Sequence, residues 1–153
     1  MNRFSLIATL AIAVVGWSTT CSPQVRNGKS LSVVPEAIDR VEILYVPERI
    51  LTRTALTPEM LLRQYQYKIE IRNFAASTQR ERLLAALRDA SYVHSDSSYD
   101  LRVAVLLYDK TGKRSLSLYF ARGGKNGAVY DEFVSINSAV YSWAKSMMKG
   151  LED

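Results

Sequence analysis

The chain has little of what reactive centres are usually built from. Its 153 residues include one cysteine, Cys21, and one histidine, His94. A histidine with no cysteine partners falls short of the three or four nitrogen, sulfur or oxygen ligands of an ordinary zinc site. Ser95 and Asp96 adjoin His94, but neighbours on one loop do not form the spatial relay of nucleophile, base and orienting acid that hydrolysis needs, so residues 91–100 read as a polar surface loop. Asp131 and Glu132 are adjacent and point to opposite faces of any strand. Residues 123–127, GGKNG, lack the Gly-Lys-Ser/Thr ending of a phosphate loop and read as a turn. No block of five or six like charges accompanies the net charge of +5 and the pI near 9.4. That absence, together with the export signal described below, disfavours nucleic acid as a partner. No cofactor motif and no internal repeat is present, and neither a cofactor nor an enzymatic activity is expected.

What is present begins with residues 101–122, LRVAVLLYDKTGKRSLSLYFAR. Leu101, Val103, Val105 and Leu107 alternate with Arg102, Ala104, Leu106 and Tyr108. Leu116, Leu118 and Phe120 alternate with Ser115, Ser117 and Tyr119. A period of two with one apolar face predicts a pair of half-buried antiparallel strands. Gly112 is free to take the positive φ of the turn between them. Such a hairpin is marginal alone and needs cover on its apolar side.

The amino terminus carries a different signal. Asn2 and Arg3 precede an apolar run of twelve residues, 6–17, too short for the roughly 20 residues of a membrane-spanning helix but suited to a secretory core segment. Cys21 follows directly after Ser18-Thr19-Thr20. This arrangement resembles the lipobox of a bacterial lipoprotein signal peptide, over about the first two dozen residues. The resemblance implies cleavage before Cys21, its acylation, and a periplasmic domain anchored to a bacterial membrane. Cleavage by an ordinary signal peptidase is the alternative, and it would leave a free thiol in an oxidising compartment. Residues 1–20 are thus expected to be a signal peptide and 21–37 a flexible tether containing Pro23, Gly28 and Pro35. Residues 38–153 are expected to form one domain.

Within that domain, residues 41–46 read as a strand ended by Pro47, and 49–56 as short strand or loop. Thr57-Pro58-Glu59 predicts a short helix start. Residues 65–72 alternate as an amphipathic strand. Residues 78–90 read as a helix with Thr78 and Glu81 forming a capping box, and 128–133 as the last strand. Asn137 or Ser138 opens a final helix with Val140, Trp143, Ala144 and Met147 on one stripe and Gly150 as its stop. The economical assembly is an α+β fold: a two-layer sandwich with two main helices on one face of a mostly antiparallel sheet. The opposite face would then be open and would display Lys68, Arg72, Arg102, Tyr108 and Tyr119. Tyrosine and arginine are enriched in protein interfaces, so these residues are candidates for partner binding. The expected function is that of a small exported envelope lipoprotein which binds an envelope or secreted protein, as an inhibitor, an immunity protein or an accessory subunit. The alternative is a binding module for anionic envelope ligands such as lipopolysaccharide, lipid headgroups or cell-wall fragments.

Overall fold

The computed structural model describes residues 29–31, 37–137 and 139–151. The predicted signal peptide, Cys21 and Ser138 lie outside the described residues. Among the described residues, eight strands and three α-helices make a mixed α+β fold. In chain order these are β1 (Lys29–Ser30), β2 (Ile38–Tyr45), α1 (Pro58–Gln64), β3 (Tyr67–Ile71), α2 (Arg80–Arg88), β4 (Ser91–His94), β5 (Leu101–Asp109), β6 (Arg114–Ala121), β7 (Asn126–Val129), β8 (Glu132–Ile136) and α3 (Ala139–Met147). All strands join one antiparallel sheet in the order β1-β4-β8-β7-β6-β5-β2-β3.

The β5–β6 hairpin forms as its alternation requires, with Gly112 at φ +80° in the turn. Asp109 fastens that turn, its Oδ1 accepting from Thr111 N at 2.9 Å and Lys113 N at 3.0 Å. A register shift between Leu101 and Val103 moves Leu101 off the face shared by Val103, Val105 and Leu107. Helix α1 begins as its sequence dictates, Thr57 Oγ1 accepting from Met60 N at 3.3 Å. Helix α2 does not: Gln79 holds its cap position without a side-chain hydrogen bond, and Glu81 pairs with Arg80 at 2.6 Å. The capping box of Thr78 and Glu81 is therefore not formed; the chain enters the helix already in helical conformation at Gln79, steered by Ser77 Oγ accepting from Gln79 N.

Two further expectations are corrected. Residues 91–94, taken as loop, form β4 between β8 and β1. The segment 128–133, taken as one strand, spans a reversal: Tyr130 at φ +54° turns β7 into β8. Its phenol donates to Ser115 O at 2.7 Å and its N–H to Ser117 O at 2.8 Å, which hold a non-glycine residue in the left-handed region. Within residues 21–37, Lys29–Ser30 pair with β4.

Buried apolar side chains fall into two clusters. The first joins Val41, Ile43, Val103, Val105, Leu107, Leu118 and Phe120 of the sheet to Leu83, Leu84 and Leu87 of α2 and Val140, Trp143 and Ala144 of α3. The second joins Leu44, Leu101, Ala104, Leu106 and Tyr119 to Val46, Leu56 and Leu61 of α1. Consecutive residues of β5 thus enter different clusters, and Leu101 to Leu107 are buried without interruption. The alternation that suggested one solvated face is filled on that face by Ala104, Leu106 and Tyr119. Burying them contributes more than exposing them, at about 25 cal/mol per Å2 of apolar surface.

Candidate functional site

Two of the five candidate residues do not lie in solvent. Arg102 is 4% exposed and Tyr119 1%. Tyr119 belongs to the second core cluster, and burial raises its phenol pKa. Arg102 is the centre of a polar staple: its Nε donates to Asp100 Oδ2 at 2.8 Å and Nη2 to the same oxygen at 2.5 Å. Nη1 donates to Ile50 O at 2.8 Å, and Nη2 also reaches Thr52 Oγ1 at 3.4 Å. The other carboxylate oxygen of Asp100 accepts from Leu56 N at 2.9 Å, and Leu101 N donates to Leu56 O at 3.0 Å. A charge this deep is stable only when paired and hydrogen-bonded. The staple's effect is to pin a segment without secondary structure, residues 47–57, to the start of β5.

The other three candidates are brought together. Lys68 Nζ donates to the buried Glu42 Oε1 at 2.7 Å, and Tyr108 Oη donates to Glu42 Oε2 at 3.1 Å. Arg72 Nε donates to Glu70 Oε1 at 2.5 Å, and Glu70 also lies 3.4 Å from Lys68 Nζ. Arg40 stacks 4.2 Å above the Tyr108 ring and approaches both carboxylates, at 3.7 and 3.9 Å. The hydrogen bond to Glu42 holds the Lys68 ammonium above its ordinary pKa, and that from Arg72 holds the Glu70 carboxyl below its own. Burial, then the nearby Glu42, raises the Tyr108 phenol. In this lattice Lys68, Arg72 and Arg40 each meet a carboxylate, three cations sharing Glu42 and Glu70.

The pinned segment creates a feature the sequence did not announce. Between its anchors at Ile50 and Leu56, the chain turns Leu51 outward, 89% exposed, with Arg53 and Thr54 beside it. Helix α1 stands opposite. Its Met60, Arg63 and Gln64, with Tyr65 and Gln66 beyond its end, wall a groove of about 570 Å3 whose floor includes Val46 and Ile50. Tyr65, expected within a strand, instead follows α1 and is 39% exposed. Arg63 is held toward Glu59 at 2.6 Å, one helical turn away. An apolar knob, a tyrosine and two arginines lining one groove, on a backbone fixed from beneath, make surface chemistry suited to docking a protein. The one sequence signal for it was a leucine without periodic neighbours shortly after Pro47.

His94 ends β4, with Nδ1 2.9 Å from Glu132 Oε1 and Nε2 3.2 Å from Asp96 Oδ1. Both ring nitrogens face carboxylates, so neither is turned to a hydroxyl that it could activate. Ser95 Oγ meets the Tyr99 hydroxyl instead, at 2.6 Å. Among the described residues no group of three or more histidine, cysteine, aspartate or glutamate side chains is placed to hold a metal ion, and no helix is long and apolar enough to cross a membrane. No family model, curated protein or solved structure matches the chain.

Proposed function

We propose that the chain is a small exported envelope lipoprotein, anchored through Cys21 in the periplasm, whose folded domain acts by binding a protein partner rather than by catalysis. An inhibitor, an immunity protein or an accessory subunit of an envelope complex has these requirements. The observation that carries the reading is the groove between residues 50–54 and α1, with Leu51 projecting from a segment anchored by Arg102. A small-molecule site buries its ligand in a concavity. Here an apolar side chain stands out from the surface and is better satisfied by a pocket on another protein. Its rim of Arg53 and Arg63 suits acidic side chains around that pocket. Arg102 serves as a positioning residue for the groove, and Lys68, Arg72 and Tyr108 lie in a lattice apart from it. The fold that supports this surface is read as layered, with the two main helices, α2 and α3, stacked on the face of the first core cluster.

The test is capture of envelope and secreted proteins on the immobilised chain, washed in high salt. One stoichiometric partner is expected, lost with Leu51→Asp and weakened at least tenfold by Tyr65→Ala. Retention of lipopolysaccharide or anionic vesicles at low salt only, unaffected by Leu51→Asp, would overturn it in favour of an anionic ligand, because exposed charge attraction is screened by salt. The anchor is tested separately: Cys21→Ala should move the protein from the membrane to the soluble fraction.

A further inference from the structure

Strand β3 ends the sheet, and no other described strand pairs with its outer edge. The backbone groups on that edge follow from its neighbours. Val46 N donates to Arg102 O at 2.9 Å, in register with Tyr45 opposite Val103. Antiparallel residues alternate in the edge their N–H and C=O groups face. Even-numbered residues of β2 therefore bond to β5 and odd-numbered ones to β3, consistent with Tyr45 O accepting from Gln66 N. Since Ile43 faces Ile69 and Tyr45 faces Tyr67, the N–H and C=O groups of Lys68 and Glu70 point outward.

Outward-facing residues pair only with outward-facing residues, so symmetric antiparallel pairing of β3 with itself has three central registers. Lys68 meets Lys68 of a second copy, or Glu70 meets Glu70, or each Lys68 meets a Glu70. The first two oppose like charges, which is destabilising; the third opposes unlike charges twice. We propose that the β3 edge docks a second copy of this chain in that third register, with Ile69 on the two-fold axis and Tyr67 across from Ile71. The pairing forms four backbone hydrogen bonds from groups that no other described strand uses. It also brings together Tyr67, Ile69 and Ile71 of both copies on one sheet face, where each is left half-buried against the first core cluster. Charges on an edge strand commonly guard against pairing. With opposite signs two residues apart, these repel the neighbouring registers and admit the symmetric one. The contact is isologous, so it closes at two copies. Five residues bury less than the roughly 1,600 Å2 of a standard interface, so the association depends on concentration in the micromolar range or above. The proposal is independent of the groove and of its partner.

The test is site-specific crosslinking in the full chain carrying Cys21→Ser, purified in detergent and oxidised mildly. Ile69→Cys places two thiols opposite each other at a non-hydrogen-bonded pair, where the Cα atoms are about 4.5 Å apart. That lies within disulfide range. Ile71→Cys places its two thiols four residues out of register, about 14 Å apart. Disulfide dimer from Ile69→Cys but not from Ile71→Cys is the expected result. No dimer from Ile69→Cys, or equal dimer from both, overturns the proposal. Sedimentation of the Cys21→Ser chain gives a second reading that needs no introduced thiol. Its mean sedimentation coefficient should rise with concentration. Glu70→Pro, which deletes an outward N–H but no bond to β2, should abolish the rise while the circular dichroism stays unchanged. A monomer at every concentration also overturns it.

Discussion

Replacing Arg102 with methionine tests whether the groove is held from beneath. The substitution keeps most of the apolar stem and removes a guanidinium that is 4% exposed. Three acceptors lose their donor: Asp100 Oδ2, Ile50 O and, weakly, Thr52 Oγ1. Removing one partner of a buried pair costs about 3–5 kcal/mol. Asp100 retains 34% side-chain exposure, so water can reclaim part of its carboxylate. The unpaired Ile50 carbonyl adds about 1–3 kcal/mol if it stays dry. The expected net is about 3 kcal/mol, or a fall in melting temperature of about 12 °C at roughly 4 °C per kcal/mol for a domain of this size. Urea unfolding supplies the free energy, and amide exchange at Ile50 and Leu56 supplies the location. Exchange at Leu56, whose N–H is bonded to Asp100, should accelerate more than exchange within β5 or β6. Asp100→Asn with Arg102→Met should cost less than the sum of the two changes, because each alone strands the other. A melting shift under 3 °C with unchanged exchange at Leu56 would show that the staple does not hold the segment.

Three other outcomes are expected. Gly127→Ala should unfold the domain or cost at least about 3 kcal/mol in urea titration, because its Cβ would fall 1.8 Å from Tyr119 O across the β6–β7 ladder, where both backbones are fixed. Trp143→Phe should cost under about 1 kcal/mol, well below the roughly 3–5 of a truncation to alanine, since the buried Nε1 of Trp143 has no hydrogen-bond partner among the described residues and its removal offsets the lost packing. Stability should fall at both ends of the pH range. The depressed Glu70 and Asp109 carboxyls, bonded to Arg72 and Thr111 respectively, contribute stability that is present above their ordinary values and lost as pH falls through the folded ones. Lys68 and Tyr108, both raised, contribute stability that is complete below 10.5 and 10.0 respectively and lost as pH rises through their folded values. A Glu42→Gln variant that left the alkaline limb of the urea midpoints unchanged would contradict the lattice as its source.

Local rules were enough for much of the fold. The β5–β6 hairpin, the Thr57 cap, the alternation of β3 and the stripe of α3 each depend on residues within a few positions, and Gly150 takes φ +100° past α3 as a helix stop does. Misreadings arose where a distant contact decides. Tyr130 is a poor turn residue by composition, and its left-handed backbone is stabilised by bonds to Ser115 and Ser117 of another strand. Strand β4 exists because β8 lies beside it, not because Ser91–His94 alternates strongly. The open face was inferred by assigning one polar and one apolar side to each strand. Yet Ala104 and Leu106 stand between Val103, Val105 and Leu107, and such a near-continuous run reads equally as a strand buried on both sides. The groove was the least legible part, since Leu51 becomes conspicuous only once Arg102 has fixed its flanks.

The pairing of β2 with β5 also sets an order of events as the chain is delivered, amino terminus first, to the compartment where it folds. Leu44 lies opposite Ala104, 60 positions later in the chain (104 − 44). Until that region is delivered, the apolar run of β2 has only the five-residue β3 to pair with, across the intervening α1. The β5-to-β8 meander, by contrast, closes through short turns as it emerges. Long-range pairings of this kind are slow to form and leave exposed strands open to capture. The amino-terminal half should therefore behave as a chaperone client for as long as delivery of β5 takes, and a chain truncated between α2 and β5 should yield an aggregating fragment rather than a smaller folded one.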